Sequence, residues 1–295
     1  MQSFVARLAD RVLDGAPPAC VGIDPRIDQL PRDVAKGAHP VDRILAFLEA
    51  ALPLFRGVVP AVKPNIAFFE CHGPRGLEAY EQVCRWAREL DLLVIGDVKR
   101  GDIGSTAEAY AGYHFEHADA LTVHPYLGKD SLDPFLRACK DYGKGLFVLV
   151  RTSNPGGDEF QGKRLEDGSE VADMVARAVT DWGREVGASD CGFGPVGAVV
   201  GATRPAMLAH FREQMPEAFF LLPGVGAQGA SARDLVGALD DRGLGGLVSS
   251  SRGVLACFEP GETEWRSAIE AALGRFVDDT LALRDAARSR ATGAS

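Results

Sequence analysis

LLVIGDVKRGDIGSTAEAY, residues 92–110, runs from an apolar segment directly into Asp97, Lys99, Arg100 and Asp102. The apolar part is rich in Leu, Val and Ile and lacks polar alternation, which predicts a strand covered on both faces. Such a strand ends in charge only where its tip leaves the core. Asp97 and Lys99 are two residues apart, so on a strand they share one side.

Seven further runs have the same character: ACVGID (19–24), GVVPAVK (57–63), ALTVH (120–124), GLFVLVRTS (145–153), GAVVGAT (197–203), FFLLPGVG (219–226) and GLVSSS (246–251). Helical patterns separate them at 40–55, 75–90, 131–142, 169–186 and 264–287, and Phe4, Val5, Leu8, Val12 and Leu13 predict an amphipathic helix at the start. Strands alternating with helices imply βαβ units, and eight strands imply a (β/α)8 TIM barrel. A doubly wound sheet is the alternative. The expected organisation is a single domain over 1–295, with that N-terminal helix, a longer insertion at about 154–195 beginning NPGGDEFQGKRLEDGSE, and a small, polar, frayed tail after about 287.

Composition narrows the function. Of the 295 residues 46% are apolar and 25% charged, the net charge is −9 and the pI about 5.2, which argues against a nucleic-acid-binding face. No apolar stretch reaches the length of a membrane span. The first residues carry Asp10 and Asp14 and do not read as a signal peptide. Cys20, Cys71, Cys84, Cys139, Cys191 and Cys257 are scattered without a CxxC pair, as expected of reduced thiols in a cytoplasmic protein.

Polar residues gather at the C-terminal ends of the predicted strands: Asp24, Lys63, Asp97 with Lys99, His124, and Thr152 with Ser153. In a barrel these ends share one face, where active sites form. Opposite charges about 4 Å apart at an effective dielectric of about 20 attract by roughly 4 kcal/mol. An array of Lys63, Asp97, Lys99 and Asp102 can therefore stay ionised despite partial burial. A purely structural salt-bridge network is the plain alternative. Carboxylates binding Mg²⁺ are another, which the two interleaved lysines oppose.

PGVGAQG (223–229) and SSSRG (249–253) follow the last two strands, the usual place for a phosphate in this architecture, and Arg252 suits one through its planar fork. No glycine cradle follows the first strand, against a Rossmann site. His124 fits a general base or a core histidine equally. His39, His72, His114, His117 and His210 have no metal-ligand spacing, and Ser153 suits hydrogen bonding to a ligand better than nucleophilic attack.

DVKRGDIGSTA (97–107) resembles the D-x-K-x-x-D-I signature of the orotidine 5′-phosphate decarboxylase family, in its longer bacterial branch. CVGIDPR (20–26), VKPNIAFFE (62–70), VRTSNPG (150–156), LLPGVGAQG (221–229) and SSSRG (249–253) are similar to its remaining blocks, in order. The resemblance implies decarboxylation of orotidine 5′-phosphate to uridine 5′-phosphate, the last step of de novo pyrimidine synthesis, without metal or cofactor. It implies that Lys99 protonates C6, Asp97 faces the departing carboxylate, Lys63 completes the charge array and contacts the ribose, and Asp24 binds a ribose hydroxyl. Ser153 would read the pyrimidine amide edge, and Pro223, Gln228 and Arg252 would lie at the phosphate. Asp102, Ile103 and Thr106 would come from the neighbouring subunit of a homodimer. Closure of the 223–229 and 154–168 loops over the phosphate is expected to exclude water. Related barrels acting on sugar phosphates share a similar element, so an Mg²⁺-dependent sugar-phosphate decarboxylase, aldolase or epimerase is the competing enzyme. A nucleotide sensor on an enzyme scaffold is the non-enzymatic one.

Overall fold

The computed structural model describes residues 2–32, 34, 39–201, 205–224, 232–260 and 262–291. Eight parallel strands close into a barrel in chain order. They are β1 (Ala19–Ile23), β2 (Ala61–Pro64), β3 (Leu93–Arg100), β4 (Ala120–Val123), β5 (Gly145–Arg151), β6 (Gly194–Val200), β7 (Ala218–Pro223) and β8 (Gly246–Ser250). β8 returns to β1 through Ala19 opposite Val248, which closes the ring. The doubly wound alternative is excluded.

The helices are α1 (Phe4–Leu13), α2 (Pro40–Ala51), α3 (Ala67–Glu70), α4 (Pro74–Glu89), α5 (Gly104–His117), α6 (Lys129–Tyr142), α7 (Val171–Val186), α8 (Pro205–Gln214), α9 (Arg252–Leu255) and α10 (Trp265–Ala291). α10 continues four residues past 287, where the composition suggested fraying. Among the described residues no helix is long and apolar enough to cross a membrane. α5 and α8 join the predicted helices. In α5 the buried side is carried by Ala107, Ala111, His114 and Phe115, a stripe too small and too polar to stand out in the sequence.

The two faces of each strand bury different sets of side chains, as a period of two requires. Cys20, Ala61, Leu93, Ile95, Ala120, Phe147, Val199, Phe219, Leu221 and Leu247 form one cluster, the barrel interior. Val21, Val62, Val94, Leu121, Val148, Ala198, Phe220 and Val248 belong to the other, between sheet and helices. α1 adds Phe4, Val5 and Leu8 to the interior cluster and closes the N-terminal mouth. There Phe4 meets Phe147 edge-on with centroids 6.1 Å apart, and its N–H donates to Gly143 O at 2.7 Å. The interior is thus filled from below, and its upper layer is left for polar groups.

Strand ends differ slightly from expectation. β2 starts at Ala61, after the Val58 and Val59 N–H groups have turned back to Phe55 O, and β5 stops at Arg151, so Thr152 and Ser153 lie just beyond it. Between β5 and β6 the chain forms a 3₁₀ turn at Pro155–Glu159, a short bridge of Arg164 with Glu170, and α7. Glu170 caps α7, its N–H donating to Asp173 Oδ2 at 2.7 Å.

Candidate active site

Counting by twos from the interior cluster places the polar residues. Cys20 leads to Gly22 and Asp24, Ala61 to Lys63, Ile95 to Asp97, and Ala120 to Thr122. The parity that lines the barrel with apolar side chains therefore delivers charge to its C-terminal mouth.

Asp97 is the centre. Its Oδ2 accepts from Lys63 Nζ at 2.6 Å, and its Oδ1 accepts from Lys99 Nζ and, at 3.0 Å, from the Thr122 hydroxyl. Lys63, Asp97 and Thr122 are buried, whereas the Lys99 side chain is half exposed. Burial opposes the charge on Asp97, but Lys63 and then Lys99 override it and hold the carboxyl well below its usual range. Burial likewise opposes the ammonium of Lys63, and Asp97, followed by Asp24, outweighs it and leaves Lys63 raised. Taking away one member of such a buried pair typically costs about 3–5 kcal/mol, because the other charge is left uncompensated. Both Asp97 oxygens are committed to ammonium groups, so the donor set does not suit a dication.

Lys99 and Asp97 share a side through a bulge rather than a regular strand. β3 pairs Gly96 with Leu121 and next Arg100 with Val123. Lys99 takes φ +44° within that slip. Arg100 leaves the mouth altogether: its Nε donates to His114 Nε2 at 3.2 Å, it pairs with Glu70, and it lies 5.3 Å over the Tyr110 ring. Burial, followed by Arg100, pushes His114 down to about 4. Of the four charges that directly follow the opening apolar run, Asp97 and Lys99 meet at the barrel mouth and Arg100 braces the outside.

Asp102 stays apart from the array within this chain. Its Oδ1 accepts the Ile103 N–H at 2.8 Å, and among the described residues it makes no ion pair. Ile103 and Thr106 are exposed on the same loop and first turn of α5. Asp24 stands just past β1, where its Oδ1 is buried and lacks a hydrogen-bond partner among the described residues. The His124 ring lies over Gly101, where a Cβ would come within 2.4 Å of it, and among the described residues it makes no hydrogen bond or ion pair to the array.

Ser153 follows β5 in a segment that is firmly tied down. Arg151 pairs with Asp158 and donates to Gly157 O at 3.3 Å, while the Thr152 N–H donates to Gln161 Oε1 at 2.8 Å. Gly201 N–H donates to Arg151 O at 2.7 Å from the neighbouring strand end. Pro223 ends β7 opposite Ser249 of β8. Gly22 allows Ser251 to approach β1, since a Cβ there would lie 2.7 Å from Ser251 Cβ, and this sets the exposed Arg252 at the rim. Gln228 lies outside the described residues, as does most of the 223–229 loop.

The residue that sequence reasoning missed is Thr122. Its interior parity with Ala120 was the available signal. Cys20, beneath Lys63, is inert at neutral pH because burial pushes its thiol up to about 12.

The model of the orotidine 5′-phosphate decarboxylase / HUMPS family matches residues 17–262. The chain is 45% identical over 257 residues to the orotidine 5′-phosphate decarboxylase of Deinococcus radiodurans, covering 85% of this chain and 89% of that protein. It is 41% identical over 294 residues to the protein of the same name from Rhodopirellula baltica, covering 92% and 97%. A crystal structure from Toxoplasma gondii aligns with a TM-score of 0.84 at 33% identity over 98% of both chains. The Leishmania donovani OMP decarboxylase aligns with a TM-score of 0.77 at 33% identity, over 96% of this chain and 99% of that one.

Proposed function

The chain belongs to the orotidine 5′-phosphate decarboxylase / HUMPS family, and we propose that it is a carboxy-lyase converting orotidine 5′-phosphate to uridine 5′-phosphate, the last step of de novo pyrimidine nucleotide synthesis. The observation that carries this reading is the Asp97 carboxylate clamped between Lys63 and Lys99 at the barrel mouth.

In this reaction the bond from C6 to its carboxylate breaks and CO₂ leaves. The electron pair remains on C6 in the ring plane, where the π system cannot spread it. A fixed positive charge must meet that pair. Lys99 Nζ supplies the charge and then the proton, closing the C6–H bond, and solvent reprotonates the amine. Asp97 holds Lys99 in place and faces the substrate carboxylate, a like-charge contact that is relieved as neutral CO₂ forms. Lys63 keeps Asp97 ionised and reaches the ribose. The unpartnered Asp24 Oδ1 is an acceptor suited to a ribose hydroxyl. Ser153, fixed by the Arg151–Asp158 and Thr152–Gln161 contacts, has one donor and two acceptor sites for the pyrimidine amide edge. Pro223, Gln228 and Arg252 complete the set at the phosphate. The chemistry needs no metal or cofactor.

The site is completed across a homodimer, with Asp102, Ile103 and Thr106 of each subunit entering the other's mouth. In support, Asp102 makes only a local hydrogen bond among the described residues, and large apolar side chains are exposed on the loops at this end of the barrel. Ile103 is 57% exposed, Tyr126 82% and Leu127 43%. Mixing Asp102→Ala with Asp24→Ala subunits is expected to regenerate one intact site per heterodimer, about one quarter of all sites after random exchange. Activity that stays at the level of the separate variants, with exchange verified by mass spectrometry, would count against a shared site.

The direct assay is absorbance. Orotidine 5′-phosphate incubated with the protein in excess EDTA is expected to lose its orotate chromophore and yield uridine 5′-phosphate. An unchanged spectrum in EDTA that recovers activity only with added Mg²⁺ would favour the sugar-phosphate class of barrel enzymes instead.

A further inference from the structure

Thr122 lies inside the barrel on β4, and its hydroxyl makes three contacts, all with the end of β3. It donates to Asp97 Oδ1 at 3.0 Å and accepts the N–H groups of Val98 and Lys99, each at 3.0 Å. A hydroxyl carries one proton and two lone pairs, so its whole hydrogen-bonding capacity is spent on these three neighbours.

Consecutive N–H groups of a regular strand point in opposite directions and do not meet on one acceptor. They converge here because β3 slips against β4. From the Gly96–Leu121 pair to the Arg100–Val123 pair, β3 advances four residues (100 − 96) while β4 advances two (123 − 121). Within the slip Lys99 sits at φ +44°, a left-handed conformation that is costly for a residue with a Cβ. The same residue carries the ammonium that folds back onto Asp97. In the gap left by the broken ladder, Thr122 provides the acceptor that strand carbonyls provide elsewhere.

We propose that Thr122 is a positioning residue: through one oxygen it fixes the Val98 and Lys99 N–H groups and the Asp97 carboxylate, and thereby holds Lys99 in the left-handed conformation that aims its ammonium at the reacting carbon. The kinetic consequence rests on the decarboxylase reading above, whereas the conformational consequence does not. Thr122 touches no substrate atom in this account and acts only through Lys99 and Asp97.

Thr122→Val keeps the shape of the side chain and removes the hydroxyl, and Thr122→Ser keeps the hydroxyl. Misplacing a catalytic group by about 1 Å costs on the order of 100-fold in rate, so Thr122→Val is expected to lose about that factor in kcat. Its KM is expected to stay within about threefold of the parent, because substrate binding is untouched. Thr122→Ser is expected to recover most of the lost kcat. In crystals of Thr122→Val, Lys99 is expected to leave positive φ and part from Asp97; in Thr122→Ser it is expected to keep both. Should Thr122→Val fail to fold, Thr122→Ala gives the same comparison without a clash.

Retention of the parental kcat in the hydroxyl-free variant, or equal losses for Val and Ser, would overturn the proposal, as would a Thr122→Val crystal structure with Lys99 unmoved. If the parent itself fails to decarboxylate orotidine 5′-phosphate, the functional reading falls, and the crystal structures still decide the role of Thr122.

Discussion

Lys99→Ala is expected to lose on the order of 10⁵-fold in kcat for orotidine 5′-phosphate, which combines about 10²–10⁴ for a positioned proton donor with about 10²–10³ for a preorganised charge. The fold is expected to survive. The Lys99 side chain is half exposed, and Asp97 keeps both Lys63 at 2.6 Å and the Thr122 hydroxyl at 3.0 Å after the ammonium is gone. Alanine tolerates φ +44° no worse than lysine does, since both carry a Cβ. Rapid-quench kinetics beside a thermal melt checks both halves. Turnover within about tenfold of the parent would be far too fast for an enzyme stripped of its proton donor, and Lys99 would lose that role.

Arg252→Ala is expected to discriminate between substrates. Enzymes lower barriers by about 8–23 kcal/mol, more than one ion pair at C6 supplies, so binding energy from the remote phosphate must be used at the ring. Arg252 is exposed at the rim, and among the described residues it makes no ion pair. Two charge-assisted bonds of about 1.5–3 kcal/mol each sum to about 3–6 kcal/mol, or roughly 10²–10⁴-fold. The variant is therefore expected to lose about 10³-fold in kcat/KM for orotidine 5′-phosphate while its kcat/KM for orotidine stays within about threefold. Equal losses for the two substrates would place Arg252 in structure rather than at the phosphate.

The barrel is legible in the sequence because its signals are local. LLVIGDVK, ALTVH and GLVSSS each show an apolar run closed by polar residues, and in the structure each becomes a parallel strand of the closed ring. The convergence of Lys63 and Asp97 is legible for the same reason, since parity brings their strand ends to one mouth, whereas Lys99 joins them through the bulge in β3. What escapes is information held between strands. The slip between β3 and β4 exists only in their pairing, so the parity of ALTVH places Thr122 inside the barrel without showing its contact with the Lys99 N–H. Arg100 closes the same apolar run as Asp97 and Lys99, yet it turns outward to Glu70 and His114. α5 hides because alanines carry much of its packing face. The segment after β5 reads as a polar insertion, whereas the pairing of Arg151 with Asp158 and of Thr152 with Gln161 ties it to the barrel end.

In the proposed mechanism the charged triad at the barrel mouth stands ready before substrate arrives and presents an ammonium to C6. Crystal structures of the protein alone and with uridine 5′-phosphate test it most directly. The same Lys63–Asp97–Lys99 contacts are expected in both, with Lys99 Nζ within about 3.5 Å of C6, the separation of a near-attack geometry. A pyrimidine bound with C6 turned away from Lys99, or a triad that forms only when the nucleotide is present, would contradict it.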